Sequence, residues 1–421
     1  MAVIGWGSEH DTLTEGRVRA LFMEAFADEP TDGERVLVII PDGTRTAPVP
    51  LLFRLLYEVL GARVSRLDLL IALGTHQPMP EAAIAKLVGA DAAERRARYP
   101  KSEVFNHRWD QPGALETVGV IGAGEMRALT DGLVARETPI TLNRMIWAYD
   151  RLLIVGPVFP HEVAGFSGGA KYLFPGIAGR EIIDATHWLG ALATSYATIG
   201  VKDTAVRRVL HRGARFVTER KPLSCLKLVM KGSALHGLFI GDLEAAWEAA
   251  ADLSAKLNII YKPKPFTSVL SMPSTKYDDL WTAAKAMYKT EPVIKDGGEV
   301  IIYAPHITEV SVTHGKAIEA VGYHVRDYFL GQWERFKDHS WTVLAHSTHV
   351  KGAGTFEGGV ERPRIQVTLA TSVPEEVCER INLGYRDPRG LDPEGWRDRE
   401  DAGKLLVENA GEVLYRLEGS V

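Results

Sequence analysis

The residues of this sequence best suited to chemistry are His76, His161, Lys171 and His187. Three of them fall in one 27-residue stretch, HEVAGFSGGAKYLFPGIAGREIIDATH at 161–187, which also holds five glycines between His161 and Arg180. Glycine at that density means unusual backbone angles, or a backbone that approaches something bound. Successive N–H groups in such a turn form an anion-binding nest. Lys171 closes the turn, and the helix-like EIIDATHW beyond it would add a helix N-terminus that favours a phosphate. A triphosphate loop is excluded, because Ala170 precedes Lys171 and Tyr172 follows it. That motif needs Gly-Lys and then a Ser or Thr whose hydroxyl binds magnesium. The plain alternative is a structural turn with a surface lysine. The flanking histidines favour a site for an anionic, phosphorylated ligand.

Strand, loop and helix patterns upstream supply more polar residues. RVLVII (35–40) reads as a buried parallel strand, PDGTRTAP as a loop presenting Asp42, Thr44 and Arg45, and PLLFRLLYEVLG as a helix. RLDLLIALGTHQP repeats the pattern, ending in Gly74-Thr75-His76, before a helix that starts near Pro80. ITLNRMIWAYDRLLIVGP is expected to contain a third strand, leading to Phe159, Pro160 and His161. In open parallel sheets ligands bind beyond the carboxyl ends of the strands. Singly, Asp42 and Thr44 read equally well as turn caps, and one strand-end histidine as structural. Together with a lysine they make a better candidate.

Further on, VKDTAVRRVLHRGARF looks amphipathic, LKLVMKG strand-like, and LEAAWEAAADLSAKL helical. YKPKPF (261–266) reads as a hinge. The α/β alternation then restarts, with TSVLSMP, GGEVIIYAP, SWTVLAHST and RIQVTLATS as strands. DDLWTAAKAMYKTEPVI and PEEVCERINLG read as helices, and HGKAIEAVGYHVRDYFLGQWERFKDH as a broken one. The first of these sets Thr282 and Lys285 on one face. The closing DREDAGKLLVENAGEVLYRLEG reads as a helix returning to the first domain. The fold expected is α/β with two domains, each a mainly parallel sheet flanked by helices. Residues 1–260 plus 385–421 would form the cofactor-binding domain and 266–384 the smaller one, with the active site in the cleft between them.

A 421-residue chain that is 46% hydrophobic and 24% charged has the composition of a globular protein with a large core. A net charge of −5 gives no reason to expect nucleic acid or an anionic membrane surface. No apolar run is long enough to span a bilayer, and the start lacks the pattern of an export signal. Cys225 and Cys378 form no CxxC pattern and suit reduced, buried thiols, so a cytoplasmic setting is expected.

The residues alone admit three readings. One is a three-histidine zinc hydrolase, though 161 to 187 is not the spacing of a helical metal pair. Another is a nucleotide- or phosphate-binding module without chemistry, which leaves the histidines idle. The last is an enzyme whose Lys171 holds a phosphorylated cofactor while histidines act as acid and base.

DGTR at 42–45, GTHQP at 74–78, HEVAGFSGGAKYLFPG at 161–176, His187, and Thr282 with Lys285 in LWTAAKAM together resemble the nickel-pincer-nucleotide lactate racemase family. The resemblance spans most of the chain. It implies a nickel pyridinium-3,5-bisthiocarboxylic acid mononucleotide joined to Lys171 through a thioamide, with His187 as the protein ligand to nickel. His76 and His161 would be the acid/base pair. Asp42, Gly43, Thr44, Arg45, Ser167, Gly168 and Gly169 would line the cofactor, and Thr282 and Lys285 the substrate. The implied reaction is reversible hydride transfer from a 2-hydroxy acid, with separate cofactor-synthesis enzymes as maturation partners. The chain departs from the family pattern at Gly43, where lactate racemases carry a basic side chain, and at Thr282, where they carry glutamine. Both changes enlarge or neutralise the substrate end, so a 2-hydroxy acid other than lactate is expected.

Overall fold

The computed structural model describes residues 2–420 except Thr75. The chain forms two compact units. The first comprises residues 1–159, 167–183 and 207–257; the second comprises 160–166, 184–206 and 258–421. The 161–187 stretch therefore crosses from one unit to the other twice.

The first unit is built on a seven-stranded sheet in the order Ile4–Gly7, Ala234–Gly241, Leu223–Lys231, Arg151–Pro157, Arg35–Pro41, Arg66–Ala72, Val104–Asn106. Its last five strands run parallel; Ala234–Gly241 runs against them, and Ile4–Gly7 at the edge pairs antiparallel with it. Arg35–Pro41 is buried from Val36 onward, as an apolar β-branched run covered on both faces should be. Val36, Val38 and Ile40 on one face pack with Phe22 and Leu55 from the helices Glu15–Phe26 and Val49–Leu60. From Arg35–Pro41 the chain moves outward to Arg66–Ala72, and later returns to its other side as Arg151–Pro157. That reversal opens a crevice at the carboxyl ends of the two strands.

The second unit carries a five-stranded, wholly parallel sheet in the order Gly384–Tyr385, Gln366–Thr371, Ile294–Ala304, Phe266–Pro273, Lys404–Ala410. The closing segment is thus not a helix returning to the first domain. Lys404–Ala410 joins this sheet, and Leu414–Leu417 pairs with Ile259–Lys262. Leu405 and Val407 are buried two residues apart, the period of a strand. SWTVLAHST is likewise not a strand but part of the helix Trp341–Lys351. Nearly every residue of that helix is buried, so no polar face marks its helical period. The expected helix around Thr282 is two short turns, Leu280–Ala283 and Lys285–Tyr288. The region before Arg151 adds a hairpin of Leu115–Ile121 with Thr138–Asn143.

Candidate functional site

In the first unit, Asp42 follows the last residue of Arg35–Pro41 and is buried. One carboxylate oxygen takes the Thr44 N–H at 3.1 Å and the Thr44 hydroxyl at 2.6 Å. The other lies 2.6 Å from Nδ1 of His76. Burial pushes the Asp42 carboxyl up, but the hydrogen bonds from His76 and Thr44 and the positive charge of Arg45 outweigh it. The group is held well below the usual carboxylate range. Two loops expected separately from the sequence are therefore one contact. The neighbouring Thr75 lies outside the described residues.

The glycine-rich turn belongs to the same unit. The Gly74 N–H donates to the Gly176 carbonyl at 2.9 Å, tying the His76 loop to the end of the turn. Gly168 and Gly169 both take positive φ, +79° and +60°. A Cβ on Gly168 would lie 2.7 Å from Val158, and one on Gly169 3.0 Å from Trp247. The protein's own packing accounts for both glycines. Ser167 is committed as well: its hydroxyl accepts from the Phe159 N–H at 2.9 Å, and its carbonyl accepts from Trp247 Nε1 at 2.8 Å. Lys171 is half-buried in the short turn Gly169–Tyr172, and residues 173–179 separate it from the helix Arg180–Ala193. The turn does not run directly into a helix N-terminus.

Sequence reasoning missed the layer beneath this turn. Tyr172 lies over Gly156, where a Cβ would stand 1.8 Å from its hydroxyl. Lys227, the strand partner of Gly156, is fully buried, with its ammonium 4.6 Å from the Tyr172 ring. The ammonium has no hydrogen-bond partner among the described residues, and burial lowers it to about 8. Arg207 is buried beside the turn, donating to the Gly168 carbonyl at 3.2 Å and stacking 4.1 Å from the Trp247 ring. Two buried cations backing a glycine turn suit a ligand of negative charge.

The second unit holds the other two candidate histidines, His161 and His187. His161 is buried in a two-strand hairpin with Gly165–Phe166. Its Nδ1 accepts the Val163 N–H at 3.1 Å, with a Glu162 carboxylate oxygen 3.3 Å from the same nitrogen. His187 is half-buried on the helix Arg180–Ala193. One turn before it, Asp184 accepts the Thr342 N–H at 3.0 Å and the Thr342 hydroxyl at 2.7 Å. Residues three apart share a helix face. Asp184 thus anchors the start of Trp341–Lys351 and turns His187 towards it. His349 on that helix is lowered to about 4, by burial first, with Glu162 opposing and His187 adding to the shift. Burial also lowers His346 to about 3, and that ring stacks 3.8 Å from Trp281. Beside Trp281, the Thr282 hydroxyl donates to Asp279 at 2.8 Å and Lys285 Nζ donates to the Thr282 carbonyl at 3.0 Å. Glu162, His346, His349 and Trp281 were absent from the sequence reading. The signal available was a histidine pair at i, i+3 in HSTH, hidden by reading that segment as a strand.

Among the described residues no three His, Cys, Asp or Glu side chains come together in a set able to hold a metal ion. A three-histidine zinc site would need such a set. A metal held chiefly by an organic group, with one imidazole from the protein, would not. Lys171 on its turn and the unsatisfied, buried Lys227 fit an anionic organic group. Both cysteines are free and buried, and no helix among the described residues is long and apolar enough to cross a membrane.

A family model for the lactate racemase N-terminal domain matches residues 20–200. Curated lactate racemases from Lactiplantibacillus plantarum and Thermoanaerobacterium thermosaccharolyticum are each 23% identical to this chain, over 304 and 307 residues. Those matches cover 70% of this chain and 66% of each relative, just under two thirds of their length. A crystal structure of a Thermotoga maritima protein superposes with a TM-score of 0.88 at 32% identity, covering 98% of this chain and all of that one. The lactate racemase apoprotein from T. thermosaccharolyticum shares the fold, with a TM-score of 0.71 at 18% identity over 96% of this chain and 93% of that one.

Proposed function

We propose, from the premise that this chain belongs to the lactate racemase family, that it racemises or epimerises a 2-hydroxy acid with a nickel-pincer nucleotide tethered to Lys171. The observation that carries the reading is the Asp42–His76 contact at 2.6 Å, within the same unit as the Lys171 turn. A buried carboxylate hydrogen-bonded to an imidazole is the arrangement of a positioned general base.

The residues divide the work. His76 takes the substrate hydroxyl proton on Nε2 while Asp42 holds the ring and offsets the charge it gains. His161 is the second acid/base group. Lys171 would tether the cofactor and His187 would ligate its metal, while Lys227 with Arg207 would supply positive charge behind the turn. When bound, the cofactor would supply hydride-transfer chemistry at the substrate Cα. Lys285 meets the substrate carboxylate or hydroxyl, beside Thr282. Asp42 thereby acts through His76 rather than on the cofactor phosphate, which a carboxylate would repel.

A substrate other than lactate is part of the proposal. Gly43 is exposed, and only Met79 Cε comes within 4 Å of where its Cβ would be, at 3.8 Å. Neither packing nor a positive φ requires glycine there, so the missing side chain leaves room for a bulkier acid. Protein matured with the cofactor-synthesis enzymes should contain nickel, show a visible absorption band and exceed its sequence mass. Lys171→Ala should lose the mass increment. An unchanged mass for the matured wild type contradicts the tether, and lactate emerging as the best of a 2-hydroxy acid panel contradicts the substrate.

A further inference from the structure

We infer that the two histidines are held in opposite resting tautomers, so that His76 alone presents a bare Nε2, and that Glu162 is the residue that lets His161 change state. The chemical meaning of this asymmetry rests on the racemase reading; the tautomers themselves rest on hydrogen bonds.

An ionised carboxylate only accepts hydrogen bonds and a backbone amide only donates. Asp42 already receives two donors from Thr44 on one oxygen. Its other oxygen is 2.6 Å from His76 Nδ1, so that nitrogen carries the proton. Nε2 of the neutral ring is then an acceptor, ready to take a proton. His161 faces the opposite partner. The Val163 N–H points at its Nδ1 from 3.1 Å, so that nitrogen is bare and the proton of the neutral ring sits on Nε2. In this form His161 donates and is no base.

Glu162 supplies the way out, since its Oε2 stands 3.3 Å from the same Nδ1. When His161 takes a solvent proton on Nδ1, that N–H turns from the Val163 amide to the carboxylate. The imidazolium can then give its Nε2 proton to a substrate oxygen. What remains is a neutral ring with the proton on Nδ1 and a bare Nε2, the form that acts as a base in the reverse direction. The Val163 amide and Glu162 thus stabilise alternative states of one imidazole, whereas Asp42 stabilises one state of the other. Asp42 and Glu162 are positioning residues for His76 and His161 respectively.

The test is nitrogen NMR of protein labelled with 15N-histidine, in which two-bond couplings distinguish the tautomers. Signals are assigned by their loss in His76→Gln and His161→Gln. The expected spectrum has His76 protonated on Nδ1 and His161 on Nε2. Asp42→Asn, whose amide can donate to Nδ1, should move the His76 proton to Nε2 and leave His161 unchanged. Glu162→Gln should leave His76 unchanged. In matured enzyme Asp42→Asn should lower kcat by roughly 10⁴, the order seen when a catalytic imidazole is turned into the wrong tautomer. Finding both histidines in the same tautomer, or an unmoved His76 in Asp42→Asn, overturns the inference. Opposite tautomers in a matured protein that racemises no 2-hydroxy acid would leave the inference standing and remove the racemase reading.

Discussion

Replacing Lys227 by methionine should stabilise the protein at neutral pH. The ammonium is fully buried and, among the described residues, has no hydrogen-bond partner. Burial lowers it from 10.5 to about 8, with the charge of Arg207 adding to the shift. A fall from 10.5 to about 8 corresponds to about 3 kcal/mol against the charged form, partly offset by the Tyr172 ring at 4.6 Å. The sign follows from proton binding. Below about pH 8 folded and unfolded chains both hold the proton, and folding bears the whole cost of burying it. Between about 8 and 10.5 the unfolded chain keeps a proton that the folded one releases, so stability rises with pH. Lys227→Met should remove the cost and flatten that rise. Arg207 and Lys221 are lowered too, so the informative quantity is the difference between wild-type and variant curves. Urea unfolding across that pH range measures it. A variant no more stable than wild type near pH 7, or parallel curves throughout, refutes the reasoning. The same variant should mature poorly, because a lysine kept at such a cost serves a bound anion rather than the fold.

Three further outcomes are expected. His349 is depressed to about 4 by burial, so its contribution is present above about 6.5 and is lost as pH falls towards 4. His349→Gln should remove up to about 3 kcal/mol of acid sensitivity, read as unfolding midpoints near pH ~7 and ~4.5. Gly165→Ala should destabilise by at least about 3 kcal/mol, because φ is +76° and the new Cβ would lie 1.7 Å from the Val201 carbonyl oxygen; a thermal melt checks it. Gly43→Arg should fold normally, since that position is open, and should raise activity on lactate relative to bulkier 2-hydroxy acids in matured enzyme. Equal ratios in the two proteins would count against Gly43 as a determinant of size.

Much of the first unit was legible because its strands are continuous apolar runs ending in polar loops. That pattern gave Arg35–Pro41 and Arg66–Ala72 nearly to the residue. The contact between them was not legible, because Asp42 and His76 are 34 positions apart and only strand pairing brings them together. Lys227 escaped notice because a lysine in LKLVMKG reads as a solvated strand face. In the second unit the buried helix Trp341–Lys351 has no exposed face to mark its period, which hid His346 and His349. At the end of the chain, charged residues around KLLVENAG suggested a helix, but the pairing of Lys404–Ala410 with Phe266–Pro273 prevailed over local propensity. The two units also interleave in sequence: 160–166, 184–206 and 385–421 lie with the second, whereas 1–260 plus 385–421 were expected to form one domain.

The most direct test follows the stereocentre itself. Protein matured with nickel and the cofactor-synthesis enzymes is given single enantiomers of a 2-hydroxy acid panel, and the enantiomeric excess is followed by chiral chromatography. The account predicts decay to a racemic or epimeric mixture for at least one acid, and none with His76→Ala or Lys171→Ala. Unchanged enantiomeric excess across the panel, in protein shown to carry the nickel and the added mass, would contradict it.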